Sequence, residues 1–173
     1  DGEDYVDGGA GNDTIYGGNG NDTIKSGGGN DFISGGEGRD TIRAGAGDDT
    51  IVWDRLDLLV SGGDGNDTLQ ISDSANNFTS GMRPTGVEVV DLRAAGANAV
   101  TLSAESVLDM SDTDTLTVLG NSGDSVNAGS GWTDGGFNGA GQHVYMKSVS
   151  GAVATLVVDA ALNVNPDITN SGM

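Results

Sequence analysis

Apolar residues in the first seventy positions keep a nine-residue beat: Val6, Ile15, Ile24, Ile33, Ile42 and Ile51, with Leu69 two beats further on. Glycine, Asn, Asp and Thr fill most of the space between them. One aliphatic, mostly β-branched residue per unit predicts a very short strand with that side chain inward. Aligned on it, Gly8–Tyr16 (GGAGNDTIY), Gly17–Lys25 (GGNGNDTIK), Ser26–Ser34 (SGGGNDFIS), Gly35–Arg43 (GGEGRDTIR) and Ala44–Val52 (AGAGDDTIV) are five contiguous repeats of G-G-x-G-x-D-x-U-x, U being apolar. A partial unit, Asp1–Asp7 (DGEDYVD), precedes them, and Gly62–Gln70 (GGDGNDTLQ) follows. Positions seven to nine of each unit are the predicted strand. Low-complexity disorder would not hold so strict a period.

Beyond Gln70 the pattern changes to irregularly spaced apolar-rich strands: Val87–Leu92, Ala99–Leu102, Leu116–Leu119, His143–Met146 and Thr155–Val158. Ser103–Met110 predicts a brief helix with Ser103 as its N-cap. Asn121–Asp124 and Thr133–Gly141 predict turns. The first 70 residues hold 18 of the 31 Gly at a charge of −11, and the rest hold 13 at −8. The expected division is therefore residues 1–70 and 71–173. Trp132, Phe137 and Tyr145 are expected to pack inside a cap that closes the end of the repeat array.

Charge and composition narrow the function. With 26 Asp+Glu against 7 Lys+Arg the net charge is −19, which repels phosphate backbones and anionic lipid, so no nucleic-acid partner is expected. The most apolar stretch, Gly151–Leu162, is short and contains Asp159, so no membrane insertion is expected either. There is no Cys, hence no disulfide staple and no thiolate zinc site. The N-terminus lacks a signal-peptide pattern, and Asp1 begins in mid-motif, so the chain reads as a fragment of a longer protein.

The repeat has its own chemistry. Glycines at positions two and four (Gly9, Gly11, Gly18, Gly20, Gly27, Gly29, Gly36, Gly38, Gly45, Gly47) allow positive φ and a sharp turn with carbonyls facing inward. The position-six carboxylates of Asp4, Asp13, Asp22, Asp31, Asp40, Asp49 and Asp67 join those carbonyls, and such hard oxygen donors suit Ca²⁺. The position-five residues (Asn12, Asn21, Asn30, Arg39, Asp48, Asn66) vary in charge and are expected to face solvent.

This nonapeptide resembles the calcium-binding RTX repeat. In that family two repeats make one coil of a right-handed parallel β-roll, which implies an all-β solenoid with a β-rich C-terminal cap. Equivalent positions would then stack every 18 residues. Asp4, Asp22 and Asp40 would line one edge and Asp13, Asp31, Asp49 and Asp67 the other. The glycine-poor stretch Trp53–Ser61 has the length of one repeat and reads as a coil whose calcium turn is replaced. Five in-register pairs, 4/22, 22/40, 13/31, 31/49 and 49/67, imply about five calcium ions. Stacked carboxylates about 4.8 Å apart would repel by roughly 3.5 kcal/mol at an effective dielectric near 20, so the ion is expected to be needed for folding.

The second half, "VEVVDLRAAGANAVTLSAESVLDMSDTDTLTVLGNSGDSVNAGSGW" with the ending "DAALNVNPDIT", resembles the C-terminal region of very large bacterial RTX adhesins exported by type I secretion. That resemblance implies a calcium-binding, secreted, cell-surface protein. Its implied partners are the secretion machinery and upstream adhesin domains, the module itself being a monomer, with an export signal near the C-terminus. Two other readings stand beside it: a module that itself binds a glycan, a surface or ice, and the secretion tail of an RTX hydrolase. The mixed, charged residues at position three (Asp1, Ala10, Asn19, Gly28, Glu37, Ala46, Asp64) argue against an ice-binding array. No catalysis is expected within the chain. His143 has no HExxH context, and there is neither a G-x-S-x-G elbow nor a Cys nucleophile. Asp112 and Asp114 read as a solvated turn, since the Gly and Glu of an EF-hand loop are missing.

Overall fold

The computed structural model describes residues 1–71, 76–78, 84–94 and 96–168. The repeats form eight strands: β1 (Tyr5–Ala10), β2 (Thr14–Asn19), β3 (Thr23–Gly28), β4 (Phe32–Glu37), β5 (Thr41–Ala46), β6 (Thr50–Trp53), β7 (Leu59–Asp64) and β8 (Thr68–Ile71). Most are six residues long, not three, because each runs on through the first three positions of the next repeat. Odd-numbered strands stack in parallel as β1-β3-β5-β7, and even-numbered ones as β2-β4-β6-β8. The register is 18 residues: Ile15 lies beside Ile33, and Ile24 beside Ile42. Parallel stacked coils of this kind are a β-solenoid of about four turns, as a β-roll requires.

The glycine-poor stretch keeps the register. Leu59 pairs with Thr41 and Val60 with Ile42, so the chain passes through residues 54–58 without a break in the stack.

The second half continues the stack with longer coils. Its elements are β9 (Asn76–Asn77), β10 (Val89–Asp91), β11 (Ala99–Thr101), α1 (Ala104–Met110), β12 (Thr115–Leu119), β13 (Ser125–Phe137), β14 (His143–Val149), β15 (Ala152–Val158) and β16 (Asn163–Ile168). Val90 lies beside Leu69, Val118 beside Val90 and Val158 beside Val118. One aliphatic column therefore runs from Ile15 through Ile33, Ile51, Leu69, Val90 and Val118 to Val158, and repeats and cap share a single core. Its members from Ile33 onward are fully buried, each Ile contributing about 1.5–3 kcal/mol. A third parallel row, β9-β11-β13, with β16 beside β13, widens this end.

Helix α1 starts where expected. Ser103 Oγ accepts the Ser106 N–H at 3.1 Å, and the Ser106 hydroxyl accepts the Ser103 N–H in return, a capping box. The turn expected over Thr133–Gly141 is shorter. Residues 133–137 belong to β13, which pairs antiparallel with β14 through Thr133–Met146, Asp134–Tyr145 and Phe137–His143. Gly136 at φ 79° permits the bulge between Asp134 and Phe137 and lets the strand carry on. Trp132 and Tyr145 pack inside as expected. Phe137 does not: it is 66% exposed and stacks on the His143 ring at 4.5 Å.

Candidate metal centre

Each position-six Asp sits where the turn enters the strand. Its main-chain carbonyl accepts the N–H of the position-seven residue one coil on, for example Thr23 N–H to Asp4 O at 2.8 Å and Thr41 N–H to Asp22 O at 2.8 Å. In five of the seven, the main-chain N–H donates to Oδ1 of the Asp one coil on. The pairs are Asp4 to Asp22 (2.9 Å), Asp13 to Asp31, Asp22 to Asp40, Asp31 to Asp49 and Asp49 to Asp67 (all 2.8 Å). Two continuous carboxylate columns result, 4–22–40 and 13–31–49–67, one on each edge of the roll.

Only half of each accepting carboxylate is satisfied by this. The Oδ2 atoms of Asp13, Asp22, Asp31, Asp40, Asp49 and Asp67 are buried and have no hydrogen-bond partner. Asp22, Asp31, Asp40, Asp49 and Asp67 are almost wholly buried, Asp13 is half-buried and Asp4 is exposed. A buried carboxylate oxygen without a donor costs several kcal/mol, so native folds pair it, protonate it or give it a metal. Burial raises Asp40 and Asp49 above the usual carboxylate range, and the neighbouring Asp22 and Asp31 charges add to this. Asp67 is pushed up to about 7, first by burial and then by Asp49 and Glu88. No basic side chain offsets any of these shifts. Among the described residues no three His, Cys, Asp or Glu side chains converge on one point, so a cation here would draw further ligands from main-chain carbonyls. Hard anionic and carbonyl oxygens are the donor set calcium takes.

The glycines make room for this arrangement. At position one a side chain would meet the carboxylate directly: a Cβ on Gly8 would lie 2.7 Å from both Asp13 Oδ2 and the Ser26 carbonyl. Every position-two and position-four glycine named above has positive φ, from 95° to 143°. Gly27 and Gly29 show why no other residue fits, since a Cβ on them would strike the Gly9 and Gly11 carbonyls of the preceding coil. Those carbonyls project along the stack toward the next turn.

The position-five side chains are exposed, as expected, yet bonded. Asn12 Oδ1 accepts the Asn30 N–H, Asn21 that of Arg39, Asn30 that of Asp48, and Asp48 that of Asn66, at 2.8–3.0 Å. This outer ladder runs opposite in sense to the inner one, accepting from the coil ahead and not the coil behind.

Among the described residues, three buried carboxylates lie outside the nonapeptide pattern. Asp57, in the glycine-poor coil, is 2% exposed with Oδ1 unpartnered, and burial together with the Asp40 and Asp54 charges raises it to about 7. Glu88 Oε2 accepts the Asp67 N–H at 3.1 Å, while its Oε1 faces the Ser111 hydroxyl and the Asp112 N–H at 3.4 and 3.3 Å. Glu88 thus ends the second column with both oxygens partnered. Asp124 repeats the motif in the cap, taking the Asn98 N–H on Oδ1 and the Asn121 N–H on Oδ2. The signal that could have found Glu88 and Asp124 is an acidic residue immediately before a strand, and for Asp57 one two residues before it, read without insisting on the nine-residue period.

His143 lies on β14, its Nε2 2.6 Å from Asp134 Oδ1 and its Nδ1 3.2 Å from the Tyr145 hydroxyl. Asp112 and Asp114 sit in an exposed turn, Asp114 at φ 56°. The export signal expected near the C-terminus falls in part on residues 169–173, outside the described residues.

No curated protein and no solved structure matches the chain. A family model of the RTX calcium-binding nonapeptide repeat matches residues 1–33, 25–52 and 59–70. It covers the coils that carry the two Asp columns and stops where the coils begin to lengthen. Such repeats bind Ca²⁺ and are typically structural rather than catalytic. The chain thus carries RTX calcium-binding nonapeptide repeats across those matched residues.

Proposed function

We propose that the two columns hold calcium between successive coils, with ions between Asp4 and Asp22, Asp22 and Asp40, Asp13 and Asp31, Asp31 and Asp49, and Asp49 and Asp67. Position-two and position-four glycine carbonyls complete each shell. The observation that carries this reading is the row of buried, unpartnered Oδ2 atoms, which point to a divalent cation more economically than to a proton on each. Without metal, stacked carboxylates and a glycine-rich chain oppose folding, and one buried Ile per repeat does not offset both. The domain is therefore unfolded in low cytosolic calcium and folds on meeting extracellular calcium. Extracellular calcium modules bind with Kd of about 10⁻⁴–10⁻³ M, which sets the switch between the two compartments.

RTX repeats occur in proteins secreted by type I systems. In that setting the chain serves as the C-terminal export and folding module of a large adhesin, crossing the channel unfolded. Folding outside then hinders backsliding and nucleates the domains that follow, because each site at 100 times its Kd adds ~2.7 kcal/mol. Far-UV circular dichroism in chelator, in Mg²⁺ and in Ca²⁺ tests the switch: strand signal is expected with Ca²⁺ alone. Equal strand content in chelator overturns it. A secretion assay on Asp22→Ala/Asp31→Ala/Asp40→Ala tests the ratchet, which predicts reduced export of folded protein.

A further inference from the structure

We infer that Asp57, together with Asp40, forms a further divalent-cation site that the nonapeptide pattern does not encode. By register the successor of Asp40 is residue 58, because Leu59 pairs with Thr41 as Thr41 pairs with Thr23. That residue is Leu58, which is exposed. The carboxylate is supplied instead by the preceding residue. Asp57 turns inward and is 2% exposed, while Asp40 beside it is 0% exposed. The segment is held there by the Leu58 N–H, which donates to the Asp40 carbonyl at 2.7 Å. On the loop side, the Asp54 N–H donates to Asp57 Oδ2 at 3.1 Å, and Asp54 Oδ1 in turn takes the Leu56 N–H at 2.8 Å. These bonds fix the loop and leave Asp57 Oδ1 buried with no partner, just as Asp40 Oδ2 is left.

Two buried, unpartnered carboxylate oxygens on adjacent coils are the same arrangement found in the pairs 22/40, 13/31, 31/49 and 49/67. With Asp57 included, the first edge reads 4–22–40–57, matching the four Asp of the second edge, 13–31–49–67, which Glu88 then closes. The loop Asp54–Leu58 is thus a one-residue variant of the calcium turn, built without its glycines. The ligand class is a hard divalent cation of calcium's size. The site rests on the calcium reading of the columns, and the test separates the two.

Bound ions are counted by native mass spectrometry on the calcium-loaded chain, on Asp57→Asn and on Asp31→Asn. Asn at position 57 keeps an acceptor for the Asp54 N–H, so the loop bond survives. The expected result is one ion fewer in Asp57→Asn than in the parent, and a loss in Asp31→Asn as well. A full count in Asp57→Asn beside a loss in Asp31→Asn overturns the site while leaving the columns intact. No ions in the parent overturns both. The parent protein gives an independent readout through anomalous scattering from terbium-loaded crystals. A peak within coordination distance of both Asp40 and Asp57 is expected, and its absence, with peaks present along Asp13–Asp31–Asp49–Asp67, overturns the proposal.

Discussion

Across one full coil the Asp31 main-chain N–H donates to Asp49 Oδ1 at 2.8 Å, and the other oxygen of that same carboxylate is buried with no donor near it. One side chain thereby does two jobs. Oδ1 fixes the register of the stack, and Oδ2 is left for a ligand. Separating the two jobs gives the first prediction. Asp49→Asn keeps an acceptor for the Asp31 N–H but removes the charge. It should weaken calcium binding at the adjoining gaps by tenfold or more, about 1.4 kcal/mol per decade, as read by titration calorimetry. Asn30→Ala on the outer ladder removes only the bond to Asp48, so it should cost about 0.5–1.5 kcal/mol of stability with the ion count unchanged.

Glycines at different positions should respond differently to the same methyl group. A Cβ on Gly17 would collide with Asp22 Oδ2 and the Gly35 carbonyl, whereas one on Gly28 meets nothing nearer than the Ala46 carbonyl at 3.9 Å. Gly17→Ala should therefore raise the calcium midpoint for folding severalfold. Gly28→Ala should leave it within experimental error. Dichroism-monitored calcium titration of the two variants compares them directly, and equal midpoints would contradict the placement of Oδ2.

Acidity should substitute in part for calcium. Asp57 and Asp67 rise from 3.8 to about 7 in the metal-free fold, and Asp40 and Asp49 rise too, all chiefly through burial. Between those values the folded chain binds more protons than the unfolded one, so folded stability is greatest at low pH and is lost as pH rises toward 7. In chelator, strand content should be higher at pH 4.5 than at pH 8, at about half a unit above and well above the usual carboxylate range respectively. Calcium, which needs the ionised form, should bind more weakly as pH falls. A metal-free chain that orders on raising the pH would have the sign reversed.

The aliphatic column joins the repeats and the second half in one core. Ile33 is fully buried between Ile15 and Ile51, so Ile33→Ala should cost about 2–5 kcal/mol and raise the calcium concentration needed to fold the domain. The chemical-denaturation midpoint in saturating calcium measures the cost.

Much of this was legible in the sequence because period and geometry coincide. Ile15, Ile33 and Ile51 stack because two repeats close one coil, and the same arithmetic aligns Asp13, Asp31, Asp49 and Asp67. The helix at Ala104–Met110 was readable from its Ser103 cap. Legibility failed where one feature slipped against the period. Asp57 occupies the place of Asp40's successor one residue early, and Glu88 reaches Asp67 with a longer side chain and a longer coil. Strand lengths were underestimated because position-one and position-two glycines, poor strand formers alone, are carried into the ladder by neighbouring coils, as Gly18 is by Gly36. Phe137 was expected inside on hydrophobicity, but the bulge after Asp134 turns it out onto His143.

The most direct test of the central claim is amide hydrogen exchange at the column residues, followed residue by residue in calcium and in chelator. The N–H groups of Asp22, Asp31 and Asp49 bond to carboxylates whose second oxygens are buried and unpartnered. Calcium should protect these amides strongly and together, and chelator should return all of them to free-chain exchange rates. Protection of the same amides at undiminished levels in chelator would contradict the account.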